Sequence, residues 1–216
     1  MPLVPIRFAG KAIPMTVITP VRRWMRLPTR VILFIFQHLP LGVVQQLAFI
    51  HFARWILIRG DRLPRLDPDQ PQEDWPYDIY AFTTNFNGPW DQYIDAFGRI
   101  KAVSKGLNML WYTSAGFPGP WPMRLFKRYI HYFEVPVDLY YNAYPGATVR
   151  DIDGALKLQA PLQDFLTQTE DEMDDAEFAA HFKAFADKAA PMLGKTGSEP
   201  ERSSLKHRAR PREFSQ

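Results

Sequence analysis

Residues 82–97 read Phe82-Thr-Thr-Asn-Phe-Asn-Gly-Pro-Trp-Asp-Gln-Tyr-Ile-Asp-Ala-Phe97, a strand that runs through a turn into a helix. Tyr80, Phe82, Thr84 and Phe86 alternate with Ala81, Thr83, Asn85 and Asn87, the two-residue period of a half-buried strand. Asn87-Gly88 breaks it. Pro89 suits the first helical turn, where its fixed φ helps and its missing N–H is not needed. Trp90, Tyr93, Ile94, Phe97 and Ile100 then recur at helical spacing.

Upstream, residues 48–58 are rich in β-branched and aromatic types and short enough for a buried strand. Arg59-Gly60-Asp61 ends that strand, and four prolines between 62 and 77 make a loop. Downstream, 107–113 predicts a strand, 116–120 a Gly/Pro turn, 123–133 a helix and 137–143 a further strand. Thr148, three residues before Asp151, has the spacing of a reciprocal helix cap. The helix it opens meets Pro161, where a kink is expected. A last helix carries Phe178, Phe182 and Phe185 beyond an acidic spacer at 170–175.

Assembled, these elements predict an α+β fold: a ferredoxin-like antiparallel sheet with helices on one face. In that assembly the 49–58 strand pairs with 79–87, as in a circularly permuted variant. Three regions follow: a basic, apolar helical arm over 1–47, the α+β domain over 48–193, and a disordered basic tail over 194–216. Within the arm, 1–19 reads as irregular because of Pro2, Pro5 and Pro14, and Pro28 is expected to interrupt the helix that follows.

The 216 residues are 46% hydrophobic and 14% aromatic, enough for one domain with a packed interior. With no cysteine, disulfides, thiolate metal sites and cysteine nucleophiles are excluded. The net charge of +3 hides an asymmetry. Residues 1–30 carry six cations and no acid, and 194–216 carry six Lys or Arg against three Glu, which leaves the middle acidic. Basic ends on an acidic body argue against nucleic acid binding through the core and for contact with an anionic surface. Arg22, Arg23, Trp24, Arg26 and Arg30 are the membrane-contact candidates. The apolar run after them is too short to span a bilayer. The expected location is cytoplasmic, peripheral to the inner membrane face if that contact is made. The alternative is an arm that packs on the domain.

Several patterns occur in order: Ile50-His-Phe-Ala-Arg-Trp55, Phe82 to Gly88 with Trp90 and Tyr93, Gly106-Leu-Asn-Met-Leu-Trp111, Gly116-Phe-Pro118, and Tyr140-Tyr-Asn-Ala-Tyr-Pro-Gly-Ala-Thr-Val149. Together they resemble a bacterial domain associated with dye-decolourising-peroxidase-like proteins, over roughly residues 48–166. The resemblance implies a ferredoxin-like fold that encloses a cofactor or apolar substrate. It departs at the Gly-x-x-Asp-Gly motif of those enzymes, where Arg150 stands first in the nearest match, ending in Asp153-Gly154.

The chemistry-bearing candidates are few. His51, beside Phe52 and Trp55, could ligate haem iron as a neutral imidazole or serve as a sheet-face histidine. Arg54 points away from it in a regular strand and is expected to pair with Asp78 or Asp91. Asn85, Asn87 and Asp91 surround a helix start, where an anion or plain turn chemistry would suit them. Trp111, His131, Tyr141 and Tyr144, with Tyr140, complete the ligand-binding set. No metal-ligand spacing, phosphate loop or Gly-x-Ser-x-Gly is present. Three functions follow as expectations: a domain binding an apolar small molecule or haem, or accessory to a peroxidase; a haem-dependent peroxidase or oxygenase; and a membrane-surface protein. A homodimer through the open sheet face is the expected assembly.

Overall fold

The computed structural model describes residues 11–38, 48–65, 67–99, 101–169 and 173–192. The expectations for 1–10, for 39–47 and for the tail lie outside these residues. The fold is α+β, with a four-stranded antiparallel sheet and six α-helices among the described residues. The strands are β1 (Ala12–Arg22), β2 (Ile50–Ile58), β3 (Tyr77–Asn87) and the two-residue β4 (Glu134–Val135), in the order β2-β3-β1-β4. The helices are α1 (Arg26–His38), α2 (Trp90–Arg99), α3 (Lys101–Trp111), α4 (Met123–Phe133), α5 (Val149–Gln168) and α6 (Asp175–Ala189).

The pairing of β2 with β3 follows the sequence pattern, with Trp55 opposite Phe82 and Leu57 opposite Tyr80. The strand that sequence periodicity missed is β1. It was expected to be an irregular arm, yet it pairs with β3 along its whole length, from Ala12 opposite Asn87 to Arg22 opposite Tyr77. Its prolines, Pro14 and Pro20, disguise it. They are tolerated because β4 covers only Thr16 and Val17 on the other edge of β1. Where that edge is met again, at Pro20 and Val21, the Pro20 carbonyl accepts from the Ala115 N–H and no proline N–H is called for. The sheet is therefore built across the 47/48 division.

Two expected strands are not strands. Residues 107–111 belong to α3, which buries Leu107, Leu110 and Trp111, a helical i, i+3, i+4 set. Residues 137–143 form no strand, and Leu139 and Tyr141 project into solvent. Nor does Pro28 break α1. The helix starts at Arg26, so the proline falls in the first turn, where no donor is lost.

The core lies on one face of the sheet. Ile13, Met15 and Val17 of β1 and Phe82 and Phe86 of β3 meet Trp90, Tyr93, Ile94 and Phe97 of α2, with α3 and α4 closing the layer. Tyr93 stacks on Phe86 at 3.9 Å between ring centroids. Ile32, Leu33 and Phe36 bring α1 onto the same core. Gly106 faces the Phe36 ring, where a Cβ would sit at contact distance, 3.4 Å from it. No described helix is long and apolar enough to cross a membrane.

Candidate functional site

The candidate residues fall into three separate places. The first is α1 and the turn that leads into it. A partly buried ion network fixes its start. Asp78, fully buried on β3, accepts two hydrogen bonds from Arg26, at 2.6 and 2.7 Å, and one from the Gly60 N–H at 3.0 Å. The same guanidinium donates to Asp61 at 3.0 Å, and Asp61 in turn accepts from Arg59 at 2.8 Å. The hydrogen bond from Arg26 holds the Asp78 carboxyl below its usual range, against the effect of burial. Gly60 is required here because a Cβ would lie 2.1 Å from the Tyr77 carbonyl oxygen. Arg23 donates to Asp74 and to the Trp75 carbonyl. Of the proposed membrane cations, Arg23 and Arg26 are thus held by carboxylates, and Arg22 and Arg30 are exposed.

With its start clamped and Thr29, Ile32, Leu33 and Phe36 turned inward, α1 presents a second apolar stripe to solvent. Trp24 is 69% exposed, Leu27 71% and Phe34 63%, and Val31 and Ile35 continue the stripe at helical spacing. Arg30 lies beside it, and the helix contains no acid.

The second place is the outer face of the sheet. A β-bulge between Ile50 and Phe52 makes His51 the extra residue. Its Nε2 is buried without a hydrogen-bond partner, and burial pushes its pKa below the usual value despite a bond to Asn87. The neighbouring asparagines work structurally. Asn85 donates to the Tyr140 hydroxyl at 2.9 Å. Asn87 donates to the Lys11 carbonyl and accepts from the Val149 N–H, both at 3.0 Å, which ties the start of α5 to the sheet. Arg54 is exposed on this face and does not meet its expected partners, since Asp78 is held by Arg26 and Asp91 by Lys127. Ile18, Phe52, Ile56 and Ile58 are exposed on the same face.

The third place is an open cleft of about 410 Å³ between α2 and α4, lined by Asp91, Asp95, Met123, Arg124, Lys127, Arg128 and His131. It brings together Asp91 and His131 and none of the other expected ligands. Lys127 sits 2.8 Å from both Asp91 and Asp95. Burial opposes its charge, but the two carboxylates outweigh burial and raise its pKa. An ammonium clamped this way is a poor base, so the cleft reads as a stitch between two helices. His131 stacks on Trp90 at 3.8 Å and lies 3.5 Å from buried Glu134.

Trp111 is a core residue, in edge contact with Trp55, Phe82 and Phe126. Tyr141 and Tyr144 are exposed loop residues and do not line the α2–α4 cleft. Among the described residues no group of three His, Cys, Asp or Glu could hold a metal ion. Sequence reasoning offered Asp78 to Arg54 and did not pair it, or Asp61, with Arg26, which lies 52 and 35 residues away from them. The apolar surface offered by Trp24, Leu27 and Val31 was legible in the sequence, and the structure extends it to Phe34 and Ile35. Comparison with protein-family models, curated proteins and solved structures yields no match.

Proposed function

We propose that this chain is a peripheral protein of anionic membrane surfaces, with α1 lying in the lipid interface. The observation that carries this reading is the outward stripe of Trp24, Leu27, Val31, Phe34 and Ile35 on a helix without acids, flanked by exposed Arg22 and Arg30. A helix apolar on both sides is unusual on a water-facing surface, and an interfacial helix needs this combination of aromatic, aliphatic and basic groups. Full burial of a leucine or phenylalanine side chain stabilises by about 1.5–3 kcal/mol. Each arginine near an anionic leaflet adds about 1 kcal/mol. The clamp of Arg26 by Asp78 and Asp61 keeps the stripe aimed outward.

We read the scaffold as ferredoxin-like in its ordinary chain order, with no permutation. Supporting this are the succession β-α-β-β-helices-β and the order β2-β3-β1-β4, in which β3 separates the parallel pair β1 and β2.

The test is cosedimentation of the full chain with phosphatidylglycerol-containing vesicles and with pure phosphatidylcholine vesicles. Binding is expected on the anionic vesicles, weakened by salt and lost in the doubly substituted Leu27→Glu, Phe34→Glu chain, whose circular dichroism should be unchanged. Binding that this double substitution leaves intact would overturn the reading.

A second reading has its own observation. The orphaned Nε2 of His51, on a neutral imidazole at the edge of an apolar sheet face, suits a flat apolar ligand such as haem. Haem titration followed by absorbance checks it, with a Soret shift expected in the parent chain and absent in His51→Ala.

A further inference from the structure

We propose that the open sheet face receives the α5–α6 hairpin of a second copy, so that two chains exchange hairpins reciprocally. This goes beyond membrane binding and does not depend on it, because α1 packs on the opposite, helix-covered side of the sheet.

Two apolar surfaces besides α1 stand exposed in one chain. On the sheet, Ile18, Phe52, Ile56 and Ile58 are open to solvent, while Ala12 and Pro14 at the other end are buried. That buried end lies where the loop before α5 returns: Tyr140 reaches Asn85, the Lys11 N–H donates to the Pro145 carbonyl, and Val149 bonds Asn87. The hairpin leaves the body there. Its two helices pack on each other through Phe165, whose ring stacks on Phe185 at 4.9 Å. Outward, Ile152, Leu156, Leu162 and Leu166 form an exposed stripe along α5, and Phe178 and Phe182 are half exposed on α6. The hairpin thus leaves uncovered the apolar half of its own sheet.

Charge selects the occupant. Along the strands, Arg22 and Arg54 are the charged groups of the open face, and the register places no carboxylate of β1, β2 or β3 beside them. Residues 149–189 carry ten acids against four Lys or Arg, with Asp174, Asp175 and Glu177 gathered near the tip. The lengths also agree. The 20 residues of α5 span roughly 30 Å at 1.5 Å per residue. The 11 residues of β1 span roughly 36 Å at about 3.3 Å per residue. A two-fold pair in which each copy gives one hairpin and accepts one satisfies both surfaces at once.

The absence of cysteine makes the test direct. Light scattering of the full chain should give about twice the 25.1 kDa monomer mass. When chains bearing Ile56→Cys are mixed with chains bearing Leu156→Cys and oxidised, a covalent dimer should form that neither variant forms alone. Arg54→Glu, an exposed change that leaves the fold intact by circular dichroism, should weaken dimerisation about tenfold or more. A monomer mass up to the solubility limit would overturn the proposal. So would efficient cross-linking of Ile56→Cys with itself, which places sheet on sheet. Cross-linking confined within single chains carrying both substitutions would show that the hairpin closes on its own sheet, and would also overturn it.

Discussion

Helix α1 and the α5–α6 hairpin both keep apolar stripes in water, and they differ in charge and in anchorage. Helix α1 has no acid, while the hairpin region has ten. A membrane with anionic headgroups would attract the first and repel the second, which is why different partners are proposed for the two. The anchorage differs as much. Helix α1 is held by a partly buried ion network and three apolar side chains in the core. The hairpin is attached at its root by the Thr148 cap, by Asn87 and by the Lys11–Asp151 pair. A rigid mount suits the proposed contact with a planar bilayer, and attachment at the root suits the proposed reach to a second copy.

The largest effect should come from uncoupling α1 from its mount. Asp78→Ala removes the buried partner of Arg26 and leaves it only Asp61, and the loss should approach the roughly 3–5 kcal/mol that breaking a buried pair costs. Urea unfolding would measure the loss. Hydrogen exchange should rise in α1 and not in α5; equal rises in both would mean that the two anchors are coupled. The sign with pH is fixed by the depressed Asp78 pKa. Its contribution is complete above about pH 4, the unfolded carboxyl value, and is lost as pH falls through the folded value. Acid unfolding of Asp78→Ala should therefore be shallower than that of the parent chain. Gly60→Ala strikes the same mount sterically, since the new methyl meets a backbone oxygen that cannot yield. A cost of about 1–3 kcal/mol is expected by urea unfolding.

A smaller effect isolates the hairpin. Thr148 accepts from the Asp151 N–H at 3.2 Å, and the Asp151 carboxylate accepts from the Thr148 N–H at 2.8 Å. Thr148→Ala removes one arm of this box and should cost about 1 kcal/mol. The loss should show as faster exchange in the first turns of α5, with α1 and vesicle binding unchanged. Impaired vesicle binding in that variant would erase the division between the two regions.

Much of this division was legible in the residues, and the rest was hidden for identifiable reasons. The β2–β3 pairing, the Gly88-Pro89 helix start, α4, and the Thr148–Asp151 cap are local patterns, and each is present as read. What failed was non-local. The prolines of β1 look like loop residues until the shortness of β4 shows that its edge is nearly free. Residues 107–113 fit both helical and strand spacing, and only packing against α1 and the sheet chooses the helix. Alternation at 137–143 carries β-propensity with no neighbour to pair with, so it stays irregular. Arg26 looked like a membrane cation because its partners lie far along the chain, whereas the apolar surface of Leu27 and Val31 beside it is a local pattern that could be read. The bulge that puts His51 out of register leaves no local trace.

The smallest expected effect belongs to His51, which lies close to the hairpin's root through Asn87. Its pKa is lowered because burial disfavours the imidazolium, so the unfolded chain binds its proton more readily than the folded chain does. Stability should therefore fall as pH drops below about 6.5, the unfolded value, until the folded pKa is passed. A titration of urea midpoints between pH 7 and 5 should show this slope in the parent chain and lose it in His51→Gln, which keeps a polar group without the charge. The loosening should be felt at the α5 root before it is felt at α1, because Asn87 serves both His51 and Val149. A slope that persists in His51→Gln would assign the titration to another histidine and break the link between the bulge and the hairpin.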